Sequence, residues 1–188
     1  ARLDLKTFKT AEIIELPNSA GNHSSPFLTE NTEYVVAGTR FAVPTDDKNG
    51  DVPINTFKEN FKGVISFIGV NKESGDMDIS FQIEAPGINF DLSHAGKGKS
   101  GDWFFFSCYN SEKANTLLEV NASQNDKDFI MAVNWKKAAE LAKSGKGRKV
   151  ATEYVHNKWN ESTHAATSTV KKEVLVLSVE DMKDAMYF

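Results

Sequence analysis

The sequence is poor in cysteine and has no long apolar segment, and both shortages limit what the protein can be. Its 188 residues include one cysteine, Cys108, so no disulfide can form within the chain. A lone cysteine inside an apolar strand is usually a small buried side chain. No run of about 18 apolar residues occurs, which excludes a membrane-spanning helix. Lysine and arginine form no long block, so the basic stripe typical of nucleic-acid binding is missing.

Familiar catalytic signatures are missing as well. The four histidines, His23, His94, His156 and His164, have spacings that match no local zinc pattern. No nucleophile elbow or P-loop occurs, because the glycine-rich segment Gly96–Gly101 is followed by a strand rather than a helix. We expect His94, His156 and His164 to be solvated surface side chains.

The overall composition is that of an ordinary globular protein. Hydrophobic residues make up 40% of the chain and charged residues 26%, and the net charge is −4. A chain of this length can bury one substantial core.

Recurring strand-like runs predict an all-β fold. The first unit is Ala1–Glu15, which turns at Lys6–Lys9. The second is clearest: Ile65–Val70 and Met77–Ile83 alternate in polarity around a turn that contains Gly75. This pattern predicts an antiparallel β-hairpin.

Two further units follow, and the third contains a helix. The third unit spans Phe129–Val155, and its turn is predicted to form a helix over Trp135–Ser144 that Gly145 ends. The fourth begins at Glu173 and returns at Tyr187.

Two more strands are predicted between these units, at Tyr34–Val43 and Trp103–Cys108. The second of them opens with an unbroken run of one tryptophan and three phenylalanines. An unbroken apolar run of this kind predicts a strand that is buried on both faces.

Units of about four strands that recur along a chain are typical of a β-propeller. A single blade cannot bury its faces alone and packs against its neighbours. The chain begins and stops inside predicted hairpins. We therefore expect residues 1–188 to be part of one propeller domain, about three blades in extent and incomplete at both ends.

The segment between two predicted strands, Trp103–Cys108 and Phe129–Val133, is rich in oxygen ligands. Rigid strands that lead into a loop of carboxylates and amides can hold a hard cation such as calcium. The alternative is an ordinary solvated loop. The candidate ligands are Tyr109, Asn110, Glu112, Glu119, Asn121, Asn125, Asp126 and Asp128.

This same segment resembles a known family. Two segments resemble parts of the propeller domain of nitrous oxide reductases. CYNSE (Cys108–Glu112) is similar to a turn of that domain, and DKDFIMAVN (Asp126–Asn134) is similar to a later strand entry. The similarity extends more weakly over the whole chain. It implies a seven-bladed β-propeller in which these segments bind structural calcium.

The resemblance also implies particular calcium ligands. They are the backbone carbonyl of Tyr109 and the carboxylates of Glu112 and Asp128. The spacer between the two carboxylates is about two residues longer than in the commoner branch of the family, so the position of a further backbone carbonyl ligand is open. The candidates for it are Val120, Asn121 and Ala122.

His23 lies in a loop of small residues, where an imidazole has room to turn towards a metal. An exposed loop histidine is the alternative. The sequence LPNSAGNH (Leu16–His23) resembles the segment of nitrous oxide reductases that carries one histidine ligand of the copper–sulfide cluster. The following SSPF departs from the Gly-Leu-Arg of better-known members, which places the chain in a divergent branch.

The resemblance implies reduction of nitrous oxide to dinitrogen and water in the periplasm. A tetranuclear copper–sulfide cluster would bind the gas. Electrons would come from a donor such as cytochrome c, through a dinuclear copper centre in a cupredoxin domain that residues 1–188 do not include. The enzyme would be a homodimer. Two alternatives remain open: a non-catalytic calcium-stabilised propeller used for binding, and the propeller of another redox family, such as a quinoprotein-like dehydrogenase.

Overall fold

The computed structural model describes residues 1–17, 20–23, 26–41, 64–84, 88–94, 101–109, 129–158 and 168–187. Within these ranges the chain is built from strands and one short helix, and none of its helices is long and apolar enough to cross a membrane. The strands are β1 (Arg2–Asp4), β2 (Lys9–Ile14), β3 (Ala20–His23), β4 (Phe27–Leu28), β5 (Tyr34–Phe41), β6 (Val64–Val70), β7 (Met77–Glu84), β8 (Ile88–His94), β9 (Trp103–Tyr109), β10 (Phe129–Asn134), β11 (Arg148–Lys158), β12 (Thr169–Leu177) and β13 (Met186–Tyr187), and the helix α1 spans Trp135–Lys143.

Two four-stranded antiparallel meanders form the centre of the fold. In the first, β3, β5, β6 and β7 follow one another as neighbours, and β4 also pairs with β5. In the second, the order is β8, β9, β10 and β13. The predicted β6–β7 hairpin, in the first meander, is confirmed as an antiparallel pair, and so is the predicted β1–β2 hairpin, which lies outside both meanders.

A second hairpin, β11–β12, enlarges the first meander into a nine-stranded sheet. Strand β12 runs parallel to β7, with Leu175 opposite Phe81. On the far side, β11 pairs antiparallel with β2, with His156 opposite Ile14. The resulting sheet is curled.

The predicted third and fourth hairpins are wrong. Strand β10 does not pair with β11, because β9 and β13 occupy both of its edges. Strand β12 likewise does not pair with β13 but lies between β11 and β7. The sequence predicted most of the strands but not β3, β4 or β8, and the expectation that His23 lies in a loop is wrong because it ends β3. Nor did the sequence show that the β11–β12 hairpin interrupts the second meander between its third and fourth strands.

The main hydrophobic core lies between the two meanders. Phe67 and Phe81 on the first sheet stack with their ring centroids 4.2 Å apart, and Phe104 on the second sheet meets Phe67 edge-on at 6.1 Å. All three side chains are buried. Met131 and Val133 on β10 complete the contact from the second sheet. Burial of this kind contributes about 25 cal/mol per Å² of apolar surface.

The helix forms as predicted, one residue shorter. Asn134 caps its N-terminus by accepting a hydrogen bond from the backbone N–H of Lys137. Trp135 is 1% exposed and donates its indole N–H to the carbonyl of Gly101 at 2.6 Å. Gly145 follows the helix with a φ of 80°, which a glycine adopts without strain.

The all-β prediction is confirmed, and the curled arrangement of strands is consistent with a fragment of a β-propeller. The two four-stranded meanders have the strand number and antiparallel order of propeller blades. Strand Trp103–Tyr109 departs from its prediction in one respect. Phe104 and Phe106 are buried, but Phe105 between them is exposed, so the described structure covers only one face of this strand.

Two glycines near the start of β11 give a matched test of this fold. At Gly147 (φ 104°) an added Cβ would lie 2.7 Å from the backbone oxygen of Val176, whereas at Gly145 nothing lies within 4 Å. We expect Gly147→Ala to lower the free energy of unfolding by about 2–4 kcal/mol, because both backbone strain and a clash oppose it. Gly145→Ala should cost only about 1 kcal/mol. Urea denaturation measures both, and equal costs would contradict the described β11–β12 register.

Candidate functional site

His23, the predicted copper ligand, ends strand β3. This strand lies at the edge of the nine-stranded sheet, and the backbone of His23 is opposite Thr39 of β5. The side chain of His23 is outside what the structure describes, so its role as a copper ligand stays a prediction.

The predicted calcium segment joins two strands that are neighbours. Strands β9 and β10 pair antiparallel with Cys108 opposite Phe129, and the backbone of Tyr109 is opposite Ile88 on the other side. The two ends of the oxygen-rich segment therefore leave the sheet side by side. The remaining predicted ligands lie outside the described residues; they are Glu112 and Asp128, with Val120, Asn121 and Ala122 as candidates for the backbone carbonyl.

A charged network that the sequence did not predict is well described. Its centre is the carboxylate of Glu12 on β2, which is fully buried. Glu12 accepts hydrogen bonds from Nε of Arg2 at 3.1 Å and from the backbone N–H of Met77 at 3.1 and 3.2 Å. The Nε2 atom of His156 lies 2.6 Å from its Oε1. One carboxylate thus joins β1, β2, β7 and β11.

A second carboxylate, that of Asp78 on β7, extends the network. It accepts a hydrogen bond from Nζ of Lys172 at 2.7 Å and another from the hydroxyl of Tyr154. The Nδ1 atom of His156 lies 3.9 Å from Oδ1 of Asp78, so the imidazole stands between two carboxylates. Burial raises the pKa of Asp78, but the hydrogen bonds from Lys172 and Tyr154 outweigh it and leave that pKa below its ordinary value. Burial, with the hydrogen bond to Asp78, raises the pKa of Tyr154.

The prediction that His156 is a solvated surface side chain is wrong. Its side chain is 14% exposed and is bonded to Glu12. The residues it meets are distant in sequence, since 144 positions separate it from Glu12, and no local pattern marks such a pair. His94 lies in β8, where only the backbone is described, and His164 lies outside the described residues.

The network is suited to holding strands together rather than to catalysis. The carboxylates of Glu12 and Asp78 already accept hydrogen bonds from within the protein. In the part of the chain that is described, no group of three or more His, Cys, Asp or Glu side chains could hold a metal ion. The predicted metal ligands lie mostly elsewhere, so this finding does not bear on them.

An apolar cavity of about 480 Å³ lies on the face of the first meander that points away from the main core. Apolar side chains from β2, β4, β5 and β6 line it, among them Ile14, Leu28, Val35 and Ile68. Arg2 also reaches its wall, but its guanidinium is engaged with Glu12 and Asp76. The lining that is described thus offers hydrophobic contact and no free catalytic group.

Comparison with known proteins gives one distant relationship. No protein-family model matches the chain. The chain is 28% identical over 148 residues to a nitrous-oxide reductase of Pseudomonas fluorescens. The matched region covers 78% of this chain but 21% of that protein, so the chain spans about a fifth of the length of the curated relative it matches.

The lowered pKa of Asp78 predicts how the stability of the chain depends on pH. An unfolded aspartate titrates at about pH 3.9, and the folded pKa is lower. The ion pair of Asp78 with Lys172 therefore stabilises the fold above the pKa of the unfolded aspartate. This stabilisation is lost as the pH falls through the folded pKa of Asp78. We expect Asp78→Asn to have a lower urea midpoint than the wild type at pH 7. At about pH 2.5–3 the difference in urea midpoint between the two proteins should be smaller.

Glu153→Gln is the matched control for this measurement. Glu153 also pairs with a lysine across two strands, Lys171 at 3.1 Å, but both side chains are mostly exposed. Exposed pairs contribute little to stability, so this variant should behave like the wild type at both pH values. If the urea midpoint of Asp78→Asn lies below that of the wild type by the same amount at both pH values, the ion-pair explanation is contradicted.

Proposed function

We propose that this chain is part of the catalytic propeller of a copper-dependent nitrous oxide reductase. The observation that carries the proposal is the match to the Pseudomonas fluorescens nitrous-oxide reductase over 78% of the chain. The segments Leu16–His23 and Cys108–Glu112, which resemble metal-binding segments of that family, also support it. The reaction would take up two electrons and two protons and convert nitrous oxide to dinitrogen and water.

The position of β3 supports a role of His23 at copper. In a propeller, blades surround a central channel, and a side chain on an edge strand can face that channel. Strand β3 is the first strand of the first meander and lies at its edge. Strand β8 has the same position in the second meander. Imidazole is a common copper ligand, and sulfide is a soft ligand that suits copper. One histidine cannot assemble a four-copper cluster, and the proposal places the other ligands outside residues 1–188.

The hairpin of β9 and β10 supports a calcium site. Its register brings the two ends of the segment from Tyr109 to Asp128 together. A closed loop of this kind can turn carboxylate and carbonyl oxygens towards one point, at about 2.3–2.6 Å from a calcium ion. The role proposed for Glu112, Asp128 and the Tyr109 carbonyl is to hold the loop in shape beside the copper site.

The remaining parts of the proposal follow from the same resemblance. The full-length protein would act in the periplasm as a homodimer, with a cupredoxin domain that holds the dinuclear copper centre. A donor such as cytochrome c would supply the electrons. Residues 1–188 would belong to one incomplete propeller domain and would be inactive alone.

Replacing His23 tests the copper assignment. In the full-length protein, His23→Ala should lower the copper content and the absorption of the copper–sulfide cluster and abolish turnover of nitrous oxide. The thermal unfolding temperature should change little, because an edge-strand side chain carries little of the core. Metal analysis, visible spectroscopy and gas consumption measure these effects.

His164→Ala is the control for that experiment, because the sequence gives this histidine no ligand role. It should keep the cluster and the activity. Unchanged cluster absorption and turnover in His23→Ala would refute the assignment of His23.

Calcium binding is tested by removing single carboxylates. Glu112→Gln and Asp128→Asn should each lower calcium affinity, because a hard cation loses an anionic oxygen. A chelator should then lower the melting temperature of the wild type but have little further effect on the variants. Glu119→Gln removes a carboxylate of the same segment to which the family resemblance gives no ligand role, so this variant should respond to chelator as the wild type does. If chelator destabilises all the proteins equally, or none of them, Glu112 and Asp128 do not hold calcium.

A further inference from the structure

Gln82 on β7 is a polar side chain that lies wholly inside the protein. It is 0% exposed, and its Nε2 donates hydrogen bonds to the backbone carbonyl of Pro17 at 2.8 Å and to Oγ of Ser66 at 2.9 Å. A buried amide costs free energy unless its polar groups find hydrogen-bond partners. A backbone carbonyl can accept but not donate, so it is the NH2 group of Gln82 that faces Pro17.

Gln82 points to the face of the first meander that is turned away from the main core. Its neighbours in β7, Phe81 and Ile83, belong to the main core, and successive residues of a strand point to opposite faces of the sheet. Ser66 is opposite Gln82 in the β6–β7 register. On this far face Gln82 meets Pro17, which lies 65 positions away in the sequence.

Pro17 belongs to the segment that links β2 to β3 and so leads to His23. Pro17 is buried, and Leu16 before it packs against the small hydrophobic cluster that contains Ala37 and Ile68. Proline has no N–H group, so the carbonyl is the backbone group through which Pro17 can be hydrogen-bonded. The hydrogen bond from Gln82 therefore attaches this segment to β7.

Strand β3 needs such an attachment because its own pairing is short and irregular. It has four residues at the edge of the nine-stranded sheet, and a register shift separates the pairing of Ala20 with β5 from that of His23. A slip of one residue would turn every side chain of a strand to the other face. After β3 the chain is held again where β4 pairs with β5. The hydrogen bond at Pro17 holds the chain on the other side, before β3 begins.

We propose that Gln82 is a positioning residue for His23. By holding the carbonyl of Pro17, Gln82 fixes the register in which His23 lies opposite Thr39 of β5. The inference rests on the proposed function, because it concerns the histidine to which that proposal gives the role of a copper ligand. Gln82 does not bind the metal itself but acts through the backbone of the segment from Pro17 to His23.

Hydrogen exchange in the copper-free full-length protein tests the hold on β3. Gln82→Met keeps the length of the side chain but removes both donated hydrogen bonds. We expect it to speed exchange of the backbone N–H groups of β3 on the order of 10-fold, which corresponds to the loss of one buried hydrogen bond.

Ser66→Ala is the matched control for this measurement. It removes the other acceptor of the same amide, which is equally buried on the same face, and leaves the hydrogen bond to Pro17 in place. Exchange in β3 should stay at the wild-type rate in this variant. Equal β3 exchange in all three proteins, or an equal increase in both variants, overturns the proposal.

Gln82→Asn keeps the test decisive if the methionine variant fails to fold. The asparagine amide lies one CH2 group closer to β7, so it stays beside Ser66 on the neighbouring strand but withdraws from Pro17. This variant should also speed hydrogen exchange in β3. Exchange in β3 at the wild-type rate would overturn the proposal here too.

The copper–sulfide cluster gives a readout that a glutamine with a purely structural role would not change. In the copper-loaded full-length protein, Gln82→Met should lower the cluster absorption per protein, whereas Ser66→Ala should keep it. Faster exchange in β3 with unchanged cluster absorption would show that Gln82 does not position His23. If the wild-type protein binds no copper, the proposed function fails, and the exchange measurement still decides whether Gln82 fixes β3.

Discussion

The buried carboxylate of Glu12 is the interaction on which the curled sheet depends. Strand β2 is separated from β7 by β11 and β12 in the sheet, yet Glu12 accepts a hydrogen bond from the backbone of Met77 on β7. The sheet must therefore bend until the two strands meet. An unpaired buried charge would cost several kcal/mol, and here Arg2 and His156 complete the set of partners. The curl in turn brings β2 and β5 to the same cavity.

Local pattern predicted much of this fold. The β1–β2 and β6–β7 hairpins and the helix that begins at Trp135 each depend on contacts between residues close in sequence, where alternation, turn residues and capping carry the information. The pairing of β12 with β7, parallel and with Leu175 opposite Phe81, depends on contacts across much of the chain. Apolar strands of similar composition can pair in several ways, so composition alone does not choose the partner.

The difference between local and long-range contacts also explains which parts of the candidate sites were predicted from the sequence. The segments around His23 and Tyr109 were predicted as metal sites from a family resemblance, and they stay predictions. The structure adds the pairing of the strands that flank the second segment. The Glu12 network was missed because the partners of Glu12 come from three other strands and from opposite ends of the chain. Charged residues in alternating strands are usually solvated, so Glu12 and His156 carried no signal until the sheet placed them together.

The insertion of β11 and β12 into the second meander has a consequence for the rate of folding. Strand β13 completes that meander by pairing Met186 with Val133, but the whole β11–β12 hairpin lies between them in the chain. Closing a long loop costs entropy before its contacts reward it, and folds dominated by such distant pairs form slowly. The hairpin β11–β12, whose pairing is local, shortens the effective loop if it forms first. The last strand of the second meander is then the last to arrive, and until it does one edge of β10 stays open to pairing with other chains.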